Sequence, residues 1–364
     1  MTANRVCLCL LLCLLLATIA CSTAQRDTGD FKIALTPARR GQNGIFAMNS
    51  DTTGGKLLTS DPGAQLRLTS WAPDGKTIAF FTTRSKDAEI LAKYRMPFHY
   101  LLYEMNAAGG SEKMLLDVPI SAFEWSPDGK QLLYISAYED PQHNDIAVLK
   151  GAKIPMSAIY ILNLQTGERK RLTSFGKNCS GSWSPDGTQL ALSFGTEQKS
   201  DIFTATLDGK HTRRITDSET INTKPAWSPN GKEIVYISTS PQGDADQDTG
   251  VYIIDAAGAN KRRISTMDAS RTAWSPDGKM LLLESAAGLT LTDSSGEKTI
   301  NPAPRIGRPL EAQFTPDGKA IAFRSNHEGE WHLFIVGLDG QNLRRITGKL
   351  SAATYCLSPL QSKN

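Results

Sequence analysis

Trp125-Ser126-Pro127-Asp128-Gly129-Lys130 recurs unchanged at Trp274-Ser275-Pro276-Asp277-Gly278-Lys279. Near-copies begin at Trp71 (Ala72 for Ser), Trp183 (Thr188 in the Lys place), Trp227 (Asn230 for Asp) and Phe314 (Thr315 for Ser). Each is followed by an apolar run: Thr77–Phe80, Gln131–Ile135, Gln189–Leu192, Glu233–Ile237, Met280–Leu283 and Ala320–Phe323. Pro presets φ near about −65° at the first turn position, Asp or Asn suits the second, and Gly takes the left-handed conformation that side chains resist. The hydroxyl before Pro can bond a backbone amide and lock the turn. The phrase is therefore a β-hairpin, with the Trp ending one strand and the apolar run forming the next. Asp74, Asp128, Asp186, Asp277 and Asp317 read as turn formers, not as an array of catalytic acids.

A hairpin with one large aromatic cannot bury its own apolar face, so its repetition implies a repeat architecture. Two further strand signals follow in each unit. One alternates and ends in a small polar turn, as in Ile45–Asn49 and Ile202–Leu207; the other is basic, as in Lys170–Thr173, Arg213–Thr216 and Arg344–Thr347. Phe31–Leu35 supplies an extra apolar run at the start, and Thr354–Pro359 a final Trp-type strand with Leu357 in the Trp place. The expectation is an all-β fold over residues 31–360. It is a seven-bladed β-propeller of four-stranded antiparallel blades, closed by the C-terminal strand, with six or eight blades as the alternative counts. Closure removes the open edges of lone sheets. The paired arginines at 213–214, 262–263 and 344–345 suit outer strands, where charge discourages edge pairing; a basic binding belt is the functional alternative.

At the amino terminus, Met1–Arg5 precedes an apolar, Leu-rich Val6–Ala20. That run is shorter than the roughly 20 residues a membrane-spanning helix needs, and it has the form of a secretory signal. Two processing sites compete. Ala17-Thr18-Ile19-Ala20-Cys21 has the form of a lipobox, making 1–20 the signal, Cys21 the lipidated residue and 21–30 a polar tether. Ser22-Thr23-Ala24 would instead allow cleavage before Gln25. Either route predicts export, to the periplasm or to the outer membrane or cell surface as a lipoprotein. A net charge of +3 and a pI of about 8.4 are too mild to indicate nucleic acid. Cys179 and Cys356 occupy non-equivalent places in distant repeats, so no disulfide is expected between them.

These turns, with segments such as Ile45-Phe46-Ala47-Met48-Asn49 and Arg213-Arg214-Ile215-Thr216, resemble the WD40-like repeats of the TolB propeller family (PD40 type), over essentially Phe31–Pro359. The same repeats occur in propellers of prolyl-oligopeptidase-type enzymes. Those enzymes need an α/β-hydrolase Gly-x-Ser-x-Gly elbow, and the sequence contains no such pentapeptide. The resemblance implies a propeller and an envelope-type binding role. Related propellers also include a pectate-degrading lyase that holds a metal with several His and a Gln.

Three further features bear on chemistry. His327-Glu328-Gly329-Glu330-Trp331-His332 resembles a zinc-protease motif, but the second His falls one place late and in a hairpin context. His327 and His332 are metal candidates only if the hairpin brings them together. Asp244, Asp246 and Asp248 alternate as in a calcium loop, with Thr249 where that loop needs Gly; Ca2+ is the cation it would take. The connections Arg84–Phe98, Ala137–Met156 and Ser238–Gly250 are longer than the others and should emerge on the face opposite the Pro-Asp-Gly turns, where function concentrates. In them Tyr94, Arg95, Phe98, His99, His143, Lys150 and Lys153 are the expected ligand-binding residues. The reading is a monomeric, exported, non-catalytic binding or scaffold module for a protein, peptide or cell-envelope glycan. It uses no cofactor, and its only membrane contact is a lipid anchor. The alternative is a metal-dependent carbohydrate lyase or hydrolase with its site at the propeller mouth.

Overall fold

The computed structural model describes residues 31–37, 43–61, 63–84, 100–139, 156–242, 248–297, 299–304, 306, 308–348 and 352–360. The secretory segment, Cys21 and the tether lie outside these residues.

The turn phrase folds as its chemistry requires. The Ser126 hydroxyl donates to Asp128 Oδ1 (2.6 Å) and accepts from the Gln131 amide (2.9 Å), while the Lys130 amide donates to Asp128 Oδ1 (3.0 Å). Gly129 sits at φ +70°, and its amide donates to the Ser126 carbonyl at 2.8 Å. The same set recurs at Ser184–Asp186, Ser228–Asn230, Ser275–Asp277 and Thr315–Asp317. Hydroxyl and amide donors hold the Asp128, Asp186 and Asp277 carboxyls below the usual carboxylate range, as expected for structural acids.

Strands run in four-strand antiparallel meanders. The first sheet contains β1 (Lys32–Pro37), β2 (Gly44–Asn49) and β3 (Lys56–Ser60), with β28 (Ala352–Leu357) on the free side of β1. The second is β4 (Leu66–Trp71), β5 (Thr77–Thr82), β6 (Leu101–Asn106) and β7 (Lys113–Leu116). The third is β8 (Ala122–Trp125), β9 (Gln131–Ser136), β10 (Ala158–Asn163) and β11 (Arg169–Arg171). Two meanders follow: β12 (Lys177–Trp183), β13 (Gln189–Gly195), β14 (Ser200–Thr206), β15 (Thr212–Arg214), then β16 (Ile221–Trp227), β17 (Glu233–Thr239), β18 (Gly250–Asp255), β19 (Arg262–Ser265). The last two sheets are β20 (Ala269–Trp274), β21 (Met280–Ser285), β22 (Gly288–Asp293), β23 (Thr299–Ile300), and β24 (Leu310–Phe314), β25 (Ala320–Ser325), β26 (His332–Gly337), β27 (Arg344–Arg345).

The expected blade count requires correction. The structure shows five separate four-stranded blades, not seven, and neither six nor eight. Strands β12–β19 form one eight-stranded sheet. Its two meanders are joined by a parallel pairing of Ser200 with Ile221, and the Ser200 hydroxyl donates to the Asn222 carbonyl at 2.8 Å. A few inter-strand bonds thus erase a boundary that the repeat pattern draws at every turn.

Each inner-strand aromatic packs against the preceding meander. Trp125 lies against Ala79, Leu102 and Leu116; Trp183 against Leu133, Ile135 and Ile159; Trp227 against Ala191, Ile202 and Ile215; Phe314 against Leu282 and Leu291. The chain of clusters returns to its start where Ile33 and Leu35 meet Ala322, Leu333 and Ile335. β28 pairs with β1 (Ile33 with Leu357, Leu35 with Tyr355). The turns nest as well: a Cβ on Gly129 would lie 3.6 Å from Pro73, on Gly187 3.5 Å from Pro127, on Gly278 3.5 Å from Pro229, and on Gly75 3.5 Å from Pro359. Cys179 and Cys356 are free thiols. Trp183→Ala should cost about 3–5 kcal/mol by emptying one of these clusters, against about 1 kcal/mol for Asp128→Ala at an exposed turn, as read from urea unfolding.

Candidate functional site

The Trp-bearing strands are the inner ones, because they touch one another from meander to meander. Trp183 Nε1 donates to the Glu124 carbonyl (3.3 Å), Trp274 Nε1 to the Ala226 carbonyl (3.2 Å) and the Lys224 amide to Ser180 Oγ (2.8 Å). The middle strands are almost wholly buried, whereas the inner strands carry more half-exposed and exposed positions. These strands run toward the Pro-Asp-Gly turns. Their first residues therefore lie at the opposite end, with the pairs Thr82–Leu101, Ser136–Ala158 and Ser238–Gly250 that flank the long connections.

At that end the axial wall is charged. Lys224 and Arg271 stand three places before Trp227 and Trp274, in equivalent positions of consecutive meanders. Lys224 occupies a bulge between Thr223 and Ala226 with φ +54°. Its Nζ donates to the Ser270 carbonyl at 2.5 Å. Burial, with the positive charge of Arg271 added, pushes its pKa down, while Glu284 pulls the other way. Glu284 is buried, accepting the Ala312 amide at 2.8 Å and the Ser270 hydroxyl at 3.3 Å. Glu311, again three places before its aromatic and at φ +57°, binds Arg324 with both oxygens, at 3.0 and 2.9 Å. The Tyr355 hydroxyl lies 2.6 Å from the Glu311 carbonyl and 2.7 Å from that of Ala322, and burial raises its pKa.

Glu124 is the one acid among the residues that directly precede the aromatics (Ser70, Glu124, Ser182, Ala226, Ala273, Gln313). Its carboxylate accepts the Trp183 amide at 3.3 Å. Its side chain is exposed to solvent, yet desolvation by the surrounding protein pushes its pKa up to about 7.

Among the expected site residues, Tyr94, Arg95, Phe98, His99, His143, Lys150, Lys153, Asp244 and Asp246 lie outside the described residues. Asp248 is exposed, within electrostatic reach of Tyr236 and Tyr252. His327 and His332 both lie against Phe334, with ring centroids at 4.9 and 6.5 Å. His332 is buried with Nδ1 3.2 Å from Thr347 Oγ1, and His327 Nε2 lies 3.7 Å from Glu328. Among the described residues no group of three or more His, Cys, Asp or Glu is placed to hold a metal ion. Sequence reading missed the axial charges, although aligning the repeats would have exposed them. The column three places before the aromatic reads Leu68, Ala122, Ser180, Lys224, Arg271, Glu311.

A closed array of β-meanders with a charged axial wall defines the protein as a β-propeller. The chain belongs to the TolB beta propeller domain (PD40) family, whose match spans residues 98–300, more than half of the chain. It is 27% identical over 189 residues to an uncharacterized protein of Agrobacterium fabrum, covering 49% of this chain and 59% of that one. Over 80 residues it is 39% identical to the Tol-Pal system protein TolB of Alcanivorax borkumensis, covering 22% of this chain and 15% of that one. It thus spans less than two thirds of these relatives. The fold is shared with TolB from Acinetobacter baumannii (TM-score 0.52, 19% identity, 87% of this chain and 79% of that one). It is shared also with a Mycobacterium tuberculosis puromycin-hydrolyzing peptidase (TM-score 0.61, 12% identity, 89% and 52%).

The raised pKa of Glu124 has a defined sign in stability. The folded state holds the proton up to about pH 7, against an ordinary value of 4.5, so the contribution is complete below the lower value and lost as pH rises through the higher. Between pH 5 and pH 8 the urea midpoint of the native protein should fall relative to that of Glu124→Gln, which lacks the titration.

Proposed function

We propose that this chain is an exported TolB-like propeller that acts as a non-catalytic binding module. It takes a protein, peptide or cell-envelope ligand at the axial end that carries the long connections. The observation that carries the reading is the gathering of Lys224 and Arg271 on inner strands with Glu284 on β21, the strand paired with that of Arg271, in a rigid β framework. Charges held by β-strands bind with little ordering cost, which favours recognition. Family membership and the Tol-Pal name of one relative support an envelope setting, and the apolar Val6–Ala20 segment supports export, with Cys21 as the lipid attachment point.

The test compares binding of the native protein, of Lys224→Ala/Arg271→Ala and of the rim variant Arg213→Ala to separated envelope fractions: soluble proteins, membrane vesicles and glycan. The axial double variant should lose about ten- to a hundredfold in affinity for one fraction, as removal of two interfacial charges does. Arg213→Ala, on exposed β15, should bind as the native protein does. Equal binding by all three would remove the axial face from the reading.

A further inference from the structure

We propose that Lys224 and Arg271 form an oxyanion site on the axial wall that takes a carboxylate group of the ligand. The proposal deepens the binding-module reading and rests on it for the site's role, though not for its chemistry. Arg84, Arg169, Arg214, Arg262, Arg324 and Arg345 each hold an acidic side chain. Arg271 differs from these, as Arg213 and Arg308 also do: among the described residues no hydrogen bond or ion pair reaches its exposed side chain, whose guanidinium presents five donors in a planar fork. Lys224 is directed beside it. Its backbone is held in the left-handed region although Pro225 follows and the side chain is long, a conformation that costs free energy unless neighbours enforce it. The enforcing contacts are the Ser180 hydroxyl on its amide and the Ser270 carbonyl on its Nζ, which leaves ammonium donors to spare.

Charge balance indicates which anion fits. Two cations face one acid, and Glu284, the cross-strand neighbour of Arg271, has its oxygens engaged by the Ala312 amide and the Ser270 hydroxyl. One positive charge is left over. A monoanionic carboxylate neutralises it and matches the guanidinium fork with two parallel hydrogen bonds. A phosphate dianion would overcompensate and meet the field of Glu284. Gln313, which hydrogen-bonds the Tyr355 phenol, lies on the neighbouring inner strand, and Tyr355 is within electrostatic reach of Arg271. The anion is therefore bordered by polar groups.

The test reads Lys224 itself. Its depressed pKa leaves more free amine near neutrality, so a limiting dose of an acetylating reagent at pH 8 labels it readily, and peptide mass spectrometry follows the rate. The probes are acetyl-dialanine with a free C-terminus, the same peptide as its amide, inorganic phosphate, and sodium chloride, all at equal ionic strength to remove screening. The free acid should slow labelling of Lys224 about tenfold at saturation, and the amide and chloride should not. Arg271→Gln should abolish the protection while the labelling of Lys232 and Lys279 stays unchanged, which checks the fold. Equal slowing by chloride, or protection surviving in Arg271→Gln, overturns the site. Stronger protection by phosphate overturns the carboxylate assignment. Protection without any envelope binding would leave the site standing and remove only the binding-module reading; envelope binding without protection would do the reverse.

Discussion

The contact between each inner-strand aromatic and the sheet before it is what every other part of the molecule depends on. A single meander has two apolar faces and cannot cover either. The indoles of Trp125, Trp183 and Trp227 each bridge to the meander before them, and Phe314 and Leu357 do the same with smaller side chains. Burying an aromatic of this size removes about 150–250 Å² from water, worth roughly 4–6 kcal/mol against about 1 kcal/mol for a turn hydrogen bond. The turn places the aromatic; the aromatic places the next sheet. Gly129 and its equivalents hold a positive φ that a side chain resists, and each lies against the proline of the preceding turn.

How much of this was legible follows from the range of each interaction. The hairpins could be read from sequence because Pro, Asp and Gly act within six residues, and the four-strand order followed from period-two alternation. The partition into sheets could not be read, because the parallel link of Ser200 to Ile221 is a backbone contact that no side-chain type announces. The axial charges were hidden for another reason. Lys224, Arg271 and Glu311 lie 47 and 40 residues apart, each an ordinary polar residue in its own repeat. Only the shared register, three places before the aromatic, and the ring geometry bring them to one wall. His327 and His332, adjacent in a suggestive motif, are drawn instead onto Phe334 and Thr347. Proximity in sequence overstated their chemistry, and distance concealed that of the axial residues.

Inner and middle strands both carry charge, but packing sets different conditions for it. A middle strand is covered on both faces and bonded on both edges, so its charges are buried and must be paired, as Glu284, Arg324 and Asp201 are. An inner strand has one free edge toward the axis, and bulges at Thr223–Ala226 and Leu310–Gln313 re-aim its side chains. Glu124, on an inner strand and exposed, is still desolvated enough to hold its proton to about neutrality.

The place where the circle shuts is a broken copy of its own hairpin. The Lys32 amide donates to Ser358 Oγ at 2.8 Å and the Ser358 amide to the Lys32 carbonyl at 2.9 Å, as Gln131 and Ser126 do within an unbroken chain. Among the described residues, the seam repeats these two hydrogen bonds of the other corners without a turn joining the strands. A chain spliced across the seam and opened at another Pro-Asp-Gly corner would keep the same strand pairings.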